Sequence, residues 1–343
     1  MADGVNTAST TALRKGAARE SPSCAPCSQG ANPWARRKRQ NQQGVKQGYR
    51  FPGRDYRIPA FYMITMTSHE RRPRFGVCAN NRSTLNDDGW LVYETWQRMA
   101  RDYPAIRLST LMIMPDHLHG IVRVTEHMAK PVGVPLRAFK SQVTSALRKR
   151  HGNPTLQIWE PGYHDWAVWR RGALKAFTRY ILDNPRRYCL RKAHPDLFRR
   201  VSNLRHPNLP DNETWTGYGN LFLLDRPERI ALQVSRRISA EALDRLRAKI
   251  LERVRNGAAL ISPFISPGEK DISRAVLDAG GSVILMKPDG FHAFFKPGGH
   301  YFELCCQGRL LILACRPPAP AATPVTRELC LAMNRWCAAI ASP

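Results

Sequence analysis

Apolar residues recur along this chain with two periods, and the periods divide it into elements. "AFYMITMTSHE" (60–70) alternates, with Tyr62, Ile64 and Met66 on one face, and predicts a strand. "DDGWLVYETWQRMARDY" (87–103) returns Leu91, Tyr93, Trp96 and Met99 at helical spacing, with Asp87 or Asp88 as N-cap. "IRLSTLMIM" (106–114) and "HLHGIVRV" (117–124) read as two strands joined by a Pro-Asp turn. "PLRAFKSQVTSALRKR" (135–150) is an amphipathic basic helix, and "IWEPGYHDWAVW" (158–169) is irregular or strand-like. "GALKAFTRYILDN" (172–184) predicts a helix that stops near Asn184, because Pro185 follows.

This order suits a small antiparallel sheet covered by helices on one side. Around "RHPNLPDNETW" (205–215) the character changes to that of a linker. Beyond it, the runs "IALQVS", "AALIS", "SVILMK" and "RLLILAC" alternate with helical segments at 239–256, 268–279 and 324–341. That alternation argues for a parallel α/β layer. Residues 1–50 have few large apolar side chains and contain "RRKR" (Arg36 to Arg39), the marks of a disordered basic arm, with order expected from about Phe51. The expected class is therefore α+β: an arm over 1–50, a first domain over 51–204, a linker over 205–215 and an α/β accessory domain over 216–343.

Charge sharpens the picture. The net charge is +26, and 36 of the 53 Lys and Arg lie in residues 1–210 against 14 of the 27 Asp and Glu. A polyanion partner follows, nucleic acid being the commonest, with a basic surface kept for solubility as the plain alternative. No run reaches the roughly 18–20 apolar residues of a membrane span, so no membrane partner is expected. The N-terminus lacks the apolar core of a secretory signal; its Ala, Ser, Thr and Arg loosely imitate a transit peptide but suit a basic arm equally. Nine cysteines without a regular framework point to a reducing cytoplasm. Cys24 and Cys27 form one C-x-x-C with no second pair at zinc-ribbon spacing.

Candidate chemistry sits in "MPDHLHG" (114–120). Alternate strand residues share a face, so His117 and His119 project together and Leu118 opposes them. Two such imidazoles can grip a divalent metal or bracket a phosphate; otherwise they are ordinary histidines satisfied by backbone. Without nearby cysteine they suit Mn, Zn or a similar ion, and an oxygen ligand would tilt the site to Mg or Mn. H-E-x-x-H is absent, and no P-C-x-x-C follows, so metalloprotease and zinc-deaminase chemistry are disfavoured. In the 172–184 helix, Leu174, Phe177 and Ile181 form an apolar stripe, with Tyr180 and Asn184 four apart beside it and Arg179, Arg186 and Arg187 close by. A phenol is a weak nucleophile until its oxyanion is stabilised or its target polarised.

"MIMPDHLHGIV", "IWEPGYHDWAV" and "RYILDNPRRY", in that order over about residues 50–200, resemble the blocks of the REP-associated tyrosine transposases. These are single-tyrosine HUH enzymes in which U is a bulky apolar residue, here Leu118. The resemblance implies a ferredoxin-like domain with a divalent metal (Mg or Mn) on His117 and His119 and Tyr180 as nucleophile. A polar residue one turn after the tyrosine, often Gln, completes the metal site in relatives; Asn184 stands there. It also implies cleavage and rejoining of hairpin-flanked single-stranded DNA through a 5′-phosphotyrosine.

On that expectation Arg137, Lys140, Arg148, Lys149 and Arg150 form a backbone clamp, joined by Arg179, Arg186 and Arg187. Trp159, Trp166 and Trp169 are either core or stacking platforms for unpaired bases, and His164 and Asp165 take a structural role. Tyr188 and Tyr163 are the next candidate nucleophiles. A second copy of the chain is a candidate partner. The competing function is a catalytically idle protein that binds hairpin DNA or RNA for regulation.

"LISPFISPGEKDISRAVLDAGGSVIL" (260–285) places a Ser/Pro/Gly loop before a helix, where a phosphate can bind. It resembles the Rossmann-like modules of DNA-processing proteins but holds no complete G-x-G-x-x-G or Walker sequence, so an α/β module for assembly or DNA positioning is the other reading.

Overall fold

A computed structural model describes residues 54–168, 172–292, 295–318 and 324–342. The basic arm, its "RRKR" run, the C-x-x-C, Phe51, Trp169 and Pro343 lie outside the described residues.

The first half runs β1 (Ala60–Thr67), β2 (Gly76–Ala79), β3 (Arg82–Leu85), α1 (Asp87–Asp102), β4 (Ile106–Met114), β5 (His117–Val124), α2 (Gly133–Arg150), β6 (His164–Ala167), α3 (Ala173–Leu182) and α4 (Asn184–Ala193). The second half runs β7 (Arg200–Leu204), β8 (Trp215–Gly219), β9 (Arg229–Ala231), α5 (Ala240–Arg255), β10 (Ala259–Ser262), α6 (Pro267–Asp278), β11 (Ser282–Met286), α7 (His300–Cys306), β12 (Leu310–Ala314) and α8 (Arg327–Ile340). The fold is mixed α+β.

In the first half, four antiparallel strands lie in the order β4-β5-β1-β6. The pleat sorts their side chains. Tyr62, Ile64, Met66, Leu118 and Val122 pack with Val92 and Trp96 of α1 and with Phe139, Val143 and Leu147 of α2. The opposite face carries Met63 and Ile121 against Phe177 and Ile181 of α3. Helices therefore cover both faces rather than one, because β1 and β5 are apolar on both. Gly120 shows how close the first layer is: a Cβ there would lie 2.3 Å from the Trp96 ring.

Local chemistry explains the element ends, with some departures from expectation. The N-cap of α1 is Asn86, not Asp87 or Asp88; its Oδ1 accepts from Gly89 N at 2.9 Å. The helix carrying Tyr180 does end at Leu182, but the chain re-enters a helix at once as α4. Pro185 falls in the first turn, where an N–H would lack an intrahelical partner anyway, so the proline breaks nothing. The β2–β3 hairpin was not foreseen. Its strands have four residues each and show little apolar alternation.

In the second half the order is β7-β8-β12-β11-β10-β9. The four strands β9 to β12 are parallel, and β8 and β7 extend them antiparallel. Leu260 and Ile312 face α5 and α6, while Ile261 and Leu313 face α8, so both faces are covered and the strands read as continuous apolar runs. β7 pairs with β8 in this sheet, so residues 200–204 belong with the second half. The Pro/Asn-rich 205–215 stretch is the β7–β8 connection rather than a linker. It is held by burial of Leu209 and Trp215 and by a Trp215 indole N–H donated to the Pro210 carbonyl at 3.0 Å. No helix of the described residues is long and apolar enough to cross a membrane.

Gly120→Ala should force the Trp96 indole or β5 to move. We expect a loss of about 1–3 kcal/mol in the urea unfolding free energy, with the slope against urea unchanged.

Candidate functional site

β5 turns His117 and His119 onto the face that α3 covers. Their ring centroids lie 4.8 Å apart, nearly edge to face. Both are largely withdrawn from solvent, so each polar nitrogen needs a partner. The Asp116 carboxylate accepts from His117 Nδ1 at 2.6 Å. Thr65 Oγ1 and His119 Nδ1 share a hydrogen bond of 2.8 Å. Thr65 lies directly across from His119 in the β1–β5 register. Each ring is thus oriented through Nδ1, which leaves Nε2 as the atom for an incoming ligand; this is the arrangement in which an outer partner fixes a metal-binding imidazole. The donor set fits a divalent cation held by two neutral imidazoles. Among the described residues there is no group of three or more His, Cys, Asp and Glu that could hold a metal ion.

Burial holds His119 well below the ordinary histidine range, and the positive charges of His117, Lys296 and Arg71 push the same way. Burial pushes Asp116 up, but the His117 hydrogen bond and charge, with Arg71, outweigh it and keep the carboxyl low.

α3 brings the tyrosine. The Tyr180 ring centroid is 5.5 Å from that of His119, within one chain. Phe177 and Ile181, on the buried stripe, set the rotation of the helix. Asn184 is 3% exposed, and its amide N–H donates to the Tyr180 carbonyl at 3.0 Å, so only its Oδ1 could meet a cation. The Arg187 guanidinium lies 5.6 Å from the Tyr180 ring centroid and is itself buried. Burial lowers its affinity for the proton, while the Tyr180 phenol counters that.

Other expected residues fall elsewhere. Arg186 is held by Asp183 and Glu303 rather than free for a phosphate. Arg179 is exposed on α3. The helix α2 packs against the Leu118 side of the sheet, so Arg137, Lys140, Arg148, Lys149 and Arg150 lie across the sheet from the histidines. Lys140 Nζ donates to the carbonyls of Glu160 and Gly162, each at 2.7 Å, and Arg148 Nε to that of Leu156 at 3.0 Å. Arg150 reaches Asp88 at 3.4 Å, and Arg137 and Lys149 are exposed. Trp159 is core, against Phe75 and Phe139. Trp166 packs with the α3 face, and Tyr163 packs against the α1–α2 layer. Asp165 is fully buried and accepts from the Tyr56 hydroxyl at 2.9 Å. His164 pairs with Thr65 and so shares the histidine face. Tyr188, on α4, is pushed above the ordinary phenol range by burial and by the Asp116 charge.

The loop before α6 is already filled. Glu269 accepts from the backbone N–H groups of Val234, Ile265 and Ser266, at 3.3, 2.7 and 3.2 Å, as part of a capping box with Ser266. A carboxylate thus takes up backbone N–H groups of a loop that could have received a phosphate.

Sequence reasoning overlooked Asp116 and Thr65. The first stands beside His117 in "PDH", a legible hint. The second depends on strand register.

The arrangement defines a two-imidazole, one-phenol site on an antiparallel sheet. No family model matches the chain. An uncharacterized protein of Haemophilus influenzae is 28% identical over 151 residues, covering 38% of this chain and 83% of that protein. Among solved structures, a REP-associated tyrosine transposase bound to a REP hairpin shares 21% identity at a TM-score of 0.32, covering 39% of this chain and 72% of that one. DNA processing protein A of Helicobacter pylori, described for its single-stranded DNA binding, shares 20% identity at a TM-score of 0.32, covering 42% of this chain and 66% of that one.

Because His119 is kept neutral in the fold, the unfolded chain takes up its proton first as pH falls below about 6.5. Stability should therefore drop between about pH 6.5 and 5, and His119→Gln should flatten that part of the curve. Thermal melts of both proteins across this range check it.

Proposed function

We propose that this chain is a metal-dependent single-stranded DNA transposase or endonuclease of the single-tyrosine HUH kind, with Tyr180 as nucleophile. The observation that carries the reading is the Tyr180 ring packed against His119, beside a second imidazole, with both Nδ1 atoms already engaged. A β-α-β-β-α-β order with strands β4-β5-β1-β6 fits the ferredoxin-like domain that the reading requires. The second half, with its parallel strands, is the Rossmann-like accessory domain of that reading.

In the reaction, the Tyr180 oxygen attacks a phosphodiester phosphorus. The bond to the 3′ oxygen breaks, that oxygen gains a proton as a 3′-hydroxyl, and the 5′-phosphate remains on the tyrosine. The phenol proton is released in the same step. A 3′-hydroxyl can reverse the attack and join a new strand without another energy source, because the phosphotyrosine keeps the ester. His117 and His119 would hold Mg or Mn through Nε2, with Asn184 Oδ1 as the third protein atom; the ion, when bound, supplies charge neutralisation at the phosphate. Asp116 and Thr65 keep the two rings in place.

Incubation of the whole protein with labelled hairpin-flanked single-stranded DNA and Mn should give a covalent adduct on a denaturing gel. Tyr180→Phe should reduce it by about 10⁴-fold or more, a chelator should remove it, and Tyr188→Phe should leave it within about threefold. No adduct from the wild-type chain, with binding intact, favours the idle DNA- or RNA-binding protein.

A further inference from the structure

The second half of the chain bears on Tyr180 through one arginine. Arg186, Arg187 and Arg191 of α4 surround the Phe302 ring of α7, with guanidinium carbons 6.0, 3.7 and 5.9 Å from its centroid. Phe302 is 1% exposed, so the ring is sunk in this contact. Phe198 stacks on it, the two centroids 5.0 Å apart. Beside the ring, Arg186 donates to both oxygens of Glu303, at 2.5 and 3.1 Å. A cation on an aromatic face and a two-point ion pair fasten α7 to α4.

Arg187 makes a further contact. Its guanidinium lies 5.6 Å from the Tyr180 ring centroid, inside the range of a cation–π attraction. Its charge is paired with Asp183 at 3.8 Å, and one N–H donates to the Pro297 carbonyl at 3.3 Å. Both contacts are long and fix the place of the charge more than the tilt of its plane. The tilt is set by the Phe302 face, because a flat cation stacked at 3.7 Å cannot turn without losing the ring. Without that face, Arg187 would regain rotamers that point away from Tyr180.

The consequence falls on the phenol. Phe177 and Ile181 fix the rotation of α3, but they do not fix the side-chain torsions of Tyr180. Its ring is held by its edge contact with His119, at 5.5 Å, and by Arg187. Attack on a phosphorus needs the oxygen within about 3–3.5 Å and in line, so a ring free to swing reacts slowly even when the substrate is bound.

We propose that Phe302 is a positioning residue for Tyr180: by stacking on Arg187 it keeps that cation against the phenol ring, so that the second half of the chain aims the nucleophile. The inference rests on the reading of Tyr180 as nucleophile, and it adds a task for the α/β half beyond holding DNA.

The test uses the full chain as Phe302→Leu, Arg187→Lys and the two together. Leucine keeps apolar bulk on α7 and lysine keeps the charge on α4, so each change removes the stack and little else. Adduct formation on hairpin-flanked single-stranded DNA with Mn is followed at rising DNA concentration, below the melting temperature of every variant. The maximal rate should fall about 10- to 100-fold in either single variant, with the half-saturating DNA concentration within about threefold. The double variant should be no slower than the slower single one, since both act through one stack. A second readout needs no DNA: nitration of Tyr180 by tetranitromethane, followed by peptide mass. It should quicken about threefold or more when the stack is lost, while that of the exposed Tyr93 on α1 stays the same. An unchanged maximal rate in either single variant overturns the proposal and leaves the Tyr180 adduct standing. Losses that multiply in the double variant overturn it, because the two residues then act separately. A loss confined to the half-saturating concentration overturns it as well, by making the pair a DNA contact. If the wild type forms no adduct, or Tyr180→Phe keeps it, the nucleophile reading has failed by itself; the nitration rates then decide alone, faster nitration upholding the hold of Phe302 on the ring and unchanged nitration refuting it.

Discussion

Everything in the first half depends on β5 being buried on both faces. Leu118 and Val122 close one layer under α1 and α2, and Gly120 leaves no room for a side chain against Trp96. That contact pins the register, because a shift by one residue would carry the histidines into the apolar layer. Once the register is set, His117 and His119 have nowhere to go but the α3 side. Their partial burial then demands partners, and Asp116 and Thr65 provide them. The orientation of the imidazoles is thus a by-product of packing on the other side of the sheet.

The second constraint is the junction between α3 and α4. A proline two residues after Asp183 would ordinarily end a helical run, and here it opens the next one. The turn keeps Tyr180 on the sheet and lets Arg186 and Arg187 face the second half of the chain. Cys189 of α4 lies 3.6 Å from Cys78 of β2, and the pair packs α4 against the hairpin. Arg187 thereby becomes a hinge point, touching Tyr180 on one side and Phe302 on the other. A basic residue read as a DNA contact serves first to join two layers of the protein.

Much of the architecture was legible. β4 and β5 have the bounds that alternation and the Pro-Asp turn implied, and α1, α2, α5, α6 and α8 fall where helical periodicity placed them. The pairing of Tyr180 with Asn184 across one turn, and of His117 with His119 across one pleat, followed from helix and strand geometry alone. What was missed has a common character. β2 and β3 have four residues each and none of them is buried, β7 and β8 have five residues whose burial does not alternate, and α7 has only seven residues. Such segments take their form from neighbours rather than from their own periodicity.

The sequence by itself determined which residues share a face, because pleat and helical turn act over a few positions and need no partner. It could not say which helix would cover which face. That choice placed the basic helix α2 across the sheet from the histidines and set the Glu269 carboxylate on backbone N–H groups of the loop before α6. Nor could it place Phe302, more than a hundred residues beyond Arg187 in the chain, against that guanidinium. These are decisions of tertiary packing, where burial and charge pairing act through space between segments that carry no local sign of one another.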